Sequence, residues 1–515
     1  MMGATGAFDA LELAVVAHGL AMIAEEMGTV LVRAALSPNI RERRDASSAL
    51  FDAEGRMVAQ AAHIPVHLGA MPDAVRAVRE RNPAAGDVFI LNDPAHGGSH
   101  LPDLTLVEAI DHRGRIAGYA AVRAHHADVG GMTPGSMPFG ATELVQEGII
   151  LPPVRLMRGD VRDEDIWRLV LANVRTPAER AGDLAAQLAA CAAGAAGWRA
   201  FLDVHGEDYA RSACDALLGY TERRARAALA PLEGRSGEAV DALEGDGITD
   251  APVEIRARLT ITGGTLDVDF AGSAPAVRGN VNCPLAVARA AAVFVLRTLL
   301  DDDVPTNDGI AAAVRVRAPE GCAVNAAWPA AVAAGNVEMS QRITDVLFAA
   351  LEALGVDVPA QGQGTMNNVT FGGAGWTFYE TLGGGQGASA KGAGPSAVHV
   401  GMSNTRNTPI ESLERAYPLR IERYAVRRGS GGTGAHRGGD GVVRVYHALE
   451  RCTVTLLTER RARGPRGARG GGPGQRGRNL LNGRELPAKC RVELEPGDVL
   501  TIETPGGGGY GFGAG

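Results

Sequence analysis

Between residues 8 and 36 apolar side chains recur at helical spacing. Leu11, Val15, Leu20, Ile23, Met27 and Leu31 mark the inner stripe, so the chain opens with a long helix. From Ser47 the period falls to two, and residues 50–58 read as strand, glycine turn, strand. Residues 72–81 predict another helix. Residues 87–91 and 116–123 predict short strands on either side of a loop rich in Gly, Pro and His. The Ala- and Arg-rich stretch 160–230 carries helical periodicity over about 163–172, 177–204 and 208–230. After Gly247 the alternation returns in a hairpin, 254–262 and 265–270, joined by Gly263-Gly264, and helices are expected at 285–300 and 337–354. Beyond about residue 360 the chain is strand-like and punctuated by glycine runs at 383–387, 429–441, 464–474 and 506–511. Apolar segments such as Val442-Val443-Arg444-Val445 interleave with these runs, so they are no linker and read as tight turns with positive φ. The expected class is α+β, with a mixed N-terminal half holding the metal-binding loops, a helical insert and a β-rich, glycine-turned C-terminal half. The regions are 1–160, 161–245 and 246–515.

Composition adds exclusions. A chain of 515 residues with 45% hydrophobic and 21% charged residues buries a core without help from disulfides. Fifty-one basic against 59 acidic residues give a net charge of −8, which disfavours nucleic acid and anionic membrane as partners. Lys391 and Lys489 are the only lysines, leaving almost no candidate for a Schiff base or a carbamylated-lysine bridge. Cys191, Cys214, Cys283, Cys322, Cys452 and Cys490 are scattered with no Cys-x-x-Cys pair, which argues against zinc ribbons, iron–sulfur clusters and a disulfide framework, and fits a reducing compartment. The first basic residue is Arg33, and the apolar stretch 11–23 is too short to span a bilayer, so a cytoplasmic protein is expected.

Histidine placement points to chemistry. Seven of the twelve histidines (His63, His67, His96, His100, His112, His125, His126) fall between 63 and 126. Two segments, Asn92-Asp93-Pro94-Ala95-His96-Gly97-Gly98-Ser99-His100-Leu101-Pro102-Asp103 and Arg123-Ala124-His125-His126-Ala127-Asp128-Val129-Gly130-Gly131, set imidazoles and carboxylates beside glycines. A divalent cation takes that combination of neutral nitrogen, anionic oxygen and pliable backbone. If residues 116–128 form a strand, His126 and Asp128 share a face and are the expected ligand pair, with His125 directed away. His100 would join them from the glycine loop, with Asp103 as a ligand or as the acceptor orienting a ligand imidazole. Asp45 is a reasonable fourth donor. P-loop, Gly-x-Ser-x-Gly and His-Glu-x-x-His patterns are absent, Gly383–Gly387 is a weak nucleotide cradle, and the basic cluster 460–469 reads as a solvated turn region.

Further segments carry a family resemblance: Arg44-Asp45-Ala46-Ser47, Asp267-Val268-Asp269-Phe270-Ala271-Gly272-Ser273, Gly335-Asn336-Val337-Glu338, Met366-Asn367-Asn368, Tyr379-Glu380-Thr381 and Met402-Ser403-Asn404-Thr405-Arg406-Asn407-Thr408-Pro409. His436-Arg437-Gly438-Gly439-Asp440-Gly441 and Thr504-Pro505-Gly506-Gly507-Gly508-Gly509-Tyr510-Gly511 continue the series. With the two histidine segments they make the chain resemble the hydantoinase B / 5-oxoprolinase family over nearly its whole length. The resemblance implies a B-type subunit that carries a divalent metal (Zn, Mn or Fe). It also implies a hetero-oligomer with a hydantoinase A-type subunit, which binds ATP and phosphorylates the substrate oxygen. The implied reaction is hydrolysis of a small cyclic amide: a hydantoin, 5-oxoproline or a lactam. A carboxylase branch of the family acts instead on ketones such as acetone or acetophenone, and a non-catalytic scaffold is a third possibility. By motif the implied metal ligands are Asp45, His100, His126 and Asp128, with His125 or His126 as the histidine used. Asp103 or His125 would orient water or act as general base, and Asp93 would fix a ligand imidazole. Two departures touch substrate identity: Ala46 and Ser48 stand where the family pattern has an aromatic and a Cys, and residues 388–394 replace an acidic Asp-Gly segment.

Overall fold

The computed structural model describes residues 8–62, 64–67 and 69–513; His63 lies outside them. The helices of the first half are α1 (Ala10–Ala34), α2 (Pro38–Arg41), α3 (Met71–Arg79), α4 (Glu164–Ala172), α5 (Pro177–His205) and α6 (Glu207–Leu229). Asp9 starts α1 by accepting the Glu12 backbone N–H at 2.8 Å while the Glu12 side chain accepts the Asp9 N–H at 3.1 Å. By length and composition α1 is apolar enough to cross a membrane, since the apolar pattern runs on past residue 23. It lays Val16, Leu20, Ala24, Met27 and Leu31 into the protein core, leaving Leu11, Val15 and Met22 exposed.

That helix covers an antiparallel sheet of seven strands: β1 (Ala46–Asp52), β2 (Met57–Ala62), β3 (Val88–Leu91), β4 (Asp103–His112), β5 (Arg115–His125), β6 (Val154–Arg158) and β7 (Val161–Arg162), in the order β2-β1-β5-β4-β3-β6-β7. Side chains alternate between two cores. Leu104, Leu106, Val122 and Ala124 face α1 and α5, whereas Val107, Ala109, Tyr119 and Ala121 face α3. Residues 103–112, expected to lie in a loop, form a ten-residue strand at the centre of the sheet. The strand containing His125 stops there instead of reaching Asp128. The Asp128 carboxylate accepts the N–H of Gly130 at 3.0 Å and of Gly135 at 2.9 Å, which closes a turn.

A second sheet, β8 (Ser236–Leu243), β9 (Val253–Thr262), β10 (Thr265–Asp269) and β11 (Val314–Arg317), packs on α7 (Leu285–Arg297) and α9 (Ser340–Ala353) around Leu259, Val287 and Leu347; α8 (Asp308–Ala311) precedes β11. The helix expected at 337–354 is preceded by a π-helical turn, Gly335–Met339. Two further sheets follow, built from β12 (Asn368–Gly373), β13 (Trp376–Glu380), β14 (Leu419–Arg427), β15 (Gly441–Ala448), β16 (Cys452–Leu457), β17 (Arg478–Leu481), β18 (Arg484–Leu486), β19 (Lys489–Leu494) and β20 (Val499–Glu503). They share a core of Phe371, Tyr446, Val454 and Leu500. Positive-φ turns occur at Gly429, Gly470 and Gly511, but the glycine runs answer a second demand as well. Their extended backbones cross within hydrogen-bonding distance, as in Gly507 N–H to Gly439 O at 2.9 Å. A Cβ on Gly507 would meet the Gln386 carbonyl at 2.0 Å.

Candidate metal centre

Register places the first pair of groups. Asp103 opens β4 directly opposite His125 at the end of β5, and both belong to the face that meets α3. The chain before Asp103 turns tightly through Gly97-Gly98-Ser99 and returns His100 to the same point, with the Asp103 N–H donating to the His100 carbonyl at 3.2 Å. One ligand atom from each of His100, Asp103 and His125 lies within 4.8 Å of the others. All three side chains are buried.

Asp103 is the hub. Its Oδ1 lies 3.2 Å from His125 Nδ1 and 3.1 Å from His100 Nε2, the latter contact close but out of line for a hydrogen bond. Its Oδ2 accepts from Asn336 Nδ2 at 3.2 Å and from the Ser99 hydroxyl, and lies 3.4 Å from His67 Nε2. Burial favours the neutral acid, but the charge of the adjacent His100 and the close approach of the His125 and His67 imidazoles outweigh it and hold the Asp103 carboxyl well below the usual range. Burial also pulls down on His100, and the Asp103 charge reverses it, so His100 titrates higher than an ordinary imidazole. For His125 burial prevails over Asp103 and Asp45, and its pKa falls. His100 Nδ1 sits 3.1 Å from the Ala333 carbonyl, a contact that places the ring proton on that nitrogen. Neither His100 Nε2 nor His125 Nε2 has a hydrogen-bond partner. Two bare imidazole nitrogens beside an ionised carboxylate, sealed from water, fit a divalent cation.

The structure does not bring His126 and Asp128 to this group. His126 points to the opposite face of the sheet, where its Nε2 meets Gln187 Oε1 of α5 at 2.8 Å and burial pushes its pKa down to about 4. Asp128 is occupied as a loop staple, accepting also from the Arg175 N–H at 3.0 Å and guanidinium at 2.9 Å. The alternation that separates His125 from His126 is present, and the group of His100 and Asp103 lies on the face of His125. Asp45 stands beside the group: its carbonyl accepts the His125 N–H at 3.0 Å, its carboxylate lies 3.5 Å from the Arg43 guanidinium, and its charge acts on both His100 and His125. Asp93 orients His96, at 2.8 Å, rather than a member of the group.

Sequence reasoning passed over several neighbours. His67, whose Nδ1 meets Ser47 Oγ at 2.9 Å, was legible only as one of the clustered histidines. Tyr379 stacks on His125 with ring centroids 4.4 Å apart and planes 15° from parallel. Arg123 is fully buried beneath, donating to Thr105 Oγ1 at 2.8 Å and to the Gly97 carbonyl at 2.7 Å, and burial lowers its pKa to about 10. Asn336 and Tyr379 fall in motifs that carried the resemblance, but nothing local marked them as partners of residues more than 200 positions away.

Comparison with known proteins gives consistent results. The family described as hydantoinase B/oxoprolinase matches residues 9–512. 5-Oxoprolinase 1 of Arabidopsis thaliana is 38% identical over 98% of this chain, and the chain spans 42% of that protein's length. The B-type chain of a putative D-/L-hydantoinase from a Pseudomonas strain is 30% identical, with 98% of this chain and 90% of the relative covered. The ATP-dependent caprolactamase of Pseudomonas jessenii superposes with a TM-score of 0.91 at 27% identity, covering 98% of this chain and 92% of its own.

Proposed function

Because the chain belongs to the hydantoinase B/oxoprolinase family, we propose that it is the metal-binding B-type subunit of an ATP-dependent cyclic amide hydrolase, opening a hydantoin, 5-oxoproline or lactam ring after a partner A-type, ATP-binding subunit has phosphorylated the substrate oxygen. The observation that carries this reading is the buried convergence of His100, Asp103 and His125, with both Nε2 atoms bare. These three would hold the cation, in place of the pairing of His126 with Asp128 expected from sequence.

An amide carbonyl is a poor electrophile because its nitrogen donates into it; phosphorylation of the oxygen converts the amide into an imidate-like electrophile whose oxygen can leave as phosphate. His100, Asp103 and His125 would hold a divalent cation, which would supply Lewis acidity and lower the pKa of water toward about 7. The chain's own residues do the rest. Asp103 neutralises charge at the centre, Ala333 fixes the His100 tautomer, and the sealed surroundings strengthen each electrostatic contact. Asp45 is a further carboxylate beside the group and would accept the proton released there. Six free, buried cysteines support a reducing, cytoplasmic setting.

The test is reconstitution with an A-type partner, measuring metal content and ATP-dependent ring opening of hydantoin, 5-oxoproline and caprolactam. Ring opening is expected in the wild type and a loss of at least about a hundredfold in His125→Ala, given that one metal ligand is removed. Wild-type rates in His100→Ala and His125→Ala would overturn the site, and bicarbonate-dependent ATP turnover with acetone in place of ring opening would overturn the reaction.

A further inference from the structure

The turn Gly335–Met339 is π-helical, a geometry that often marks functional positions. It carries two buried polar side chains, Asn336 and Glu338. Asn336 Nδ2 donates to Asp103 Oδ2 at 3.2 Å, leaving its own Oδ1 without a partner. Glu338 is fully buried and, among the described residues, has no ion-pair partner. Its Oε1 accepts three bonds, from Thr365 Oγ1 at 2.9 Å, the Met366 N–H at 3.2 Å and Asn368 Nδ2 at 2.9 Å, whereas Oε2 accepts none. The Asn368 amide is fixed because Nδ2 also donates to the Leu457 carbonyl at 2.9 Å, so Oδ1 turns to the Tyr379 hydroxyl at 2.7 Å. Tyr379 is the ring that stacks on His125.

We infer that this turn is a positioning element for the cation group, with Glu338 acting through Asn368 and Tyr379 to fix the plane of the His125 imidazole, and Asn336 fixing the Asp103 carboxylate. The inference rests on the metal reading above. An imidazole joined to its backbone by two rotatable bonds is held at a cation only if something limits the swing of its ring. Here a flat aromatic face does so, and that face is anchored by a chain of hydrogen bonds ending on Glu338. A carboxyl oxygen without a partner in a dry interior is costly, and packing alone would be served by an apolar side chain. Burial, helped by the Glu459 charge and opposed by Thr365 and Lys489, pushes Glu338 up to about 8. At neutral pH the proton therefore sits on the free Oε2, and Oε1 is the acceptor that anchors the chain.

The test uses the full chain and Mn2+, with the dissociation constant read by electron paramagnetic resonance and chelator competition. Tyr379→Phe keeps the stacked ring but cuts the chain, and Glu338→Leu removes its anchor. Each is expected to weaken Mn2+ binding about tenfold, the lower end of what outer partners of metal ligands contribute. The double variant should be no weaker than either alone, because both act through one chain. Glu338→Gln, which preserves the Oε1 acceptor, should bind within about twofold of wild type, well inside that range. A purely structural role predicts lowered thermal stability with an unchanged Mn2+ constant, and that result would overturn the inference, as would additive losses in the double variant. If wild type binds no Mn2+, or binds it equally well in His125→Ala, the metal reading itself fails and this inference falls with it.

Discussion

A histidine that serves a cation must have one nitrogen held and its ring set among other ligand groups, and the neighbouring histidines of this chain differ in the second respect. Each keeps one bare nitrogen, Nε2 of His125 and Nδ1 of His126, but His125 is held by Asp103 within the group that includes His100, whereas His126 is held by Gln187 on the opposite face of the sheet. His100→Ala and His125→Ala are therefore expected to purify without the metal. His126→Ala should retain it while losing about 1–3 kcal/mol of stability from the broken buried bond, which metal analysis beside thermal melts will show. Titration gives a second prediction. Burial, with Asp52 adding to it, raises the Asp308 carboxyl to about 6 while its side chain accepts the Met57 N–H at 2.7 Å. The folded state then holds a proton that the unfolded state loses near pH 4. Stability from this group is intact below that pH, declines as pH rises from about 4 to about 6, and stays lowered above. Asp308→Asn retains an acceptor and should recover about 1–3 kcal/mol at pH 7, with little effect at pH 3.5 in a denaturant titration.

At the level of elements, two strand ends and one glycine loop assemble the site. The β4–β5 register alone sets Asp103 opposite His125. The return of His100 depends on Gly98, where a Cβ would stand 2.0 Å from the Asn92 carbonyl oxygen. Gly98→Ala must move backbone and is expected to cost about 1–3 kcal/mol and to weaken cation binding, checked by melts and by the Mn2+ constant. Long helices were legible because their stripes repeat over many turns. β4 was not, because a central strand is buried on both faces, so Leu104, Thr105, Leu106 and Val107 show no polar alternation. With β4 hidden, the strand holding His125 had no visible partner, and its length and the face that mattered could not be read.

Across the whole molecule, buried charges tie the second sheet and its helix α9 to the sheets that follow. Glu459 accepts from Lys489 of β19 and from Arg342 of α9 at 3.2 Å, while Arg460 reaches Asp345 of α9 at 2.5 Å and Asp241 of β8 at 3.3 Å. Lys489→Met keeps the volume but strips one partner from a fully buried carboxylate, and should destabilise by about 3 kcal/mol, measured by chemical denaturation. The sequence by itself determined the α+β class, the placement of the long helices and hairpins, the clustering of histidines near glycines and the family resemblance. Those features arise from periodicity, turn chemistry and residue order, which are local. Tertiary structure alone decided which face of β5 meets the loop of His100, and that Asn336 and Tyr379 would close around Asp103 and His125. Contacts between residues hundreds of positions apart depend on strand register and layer packing, which no local pattern encodes.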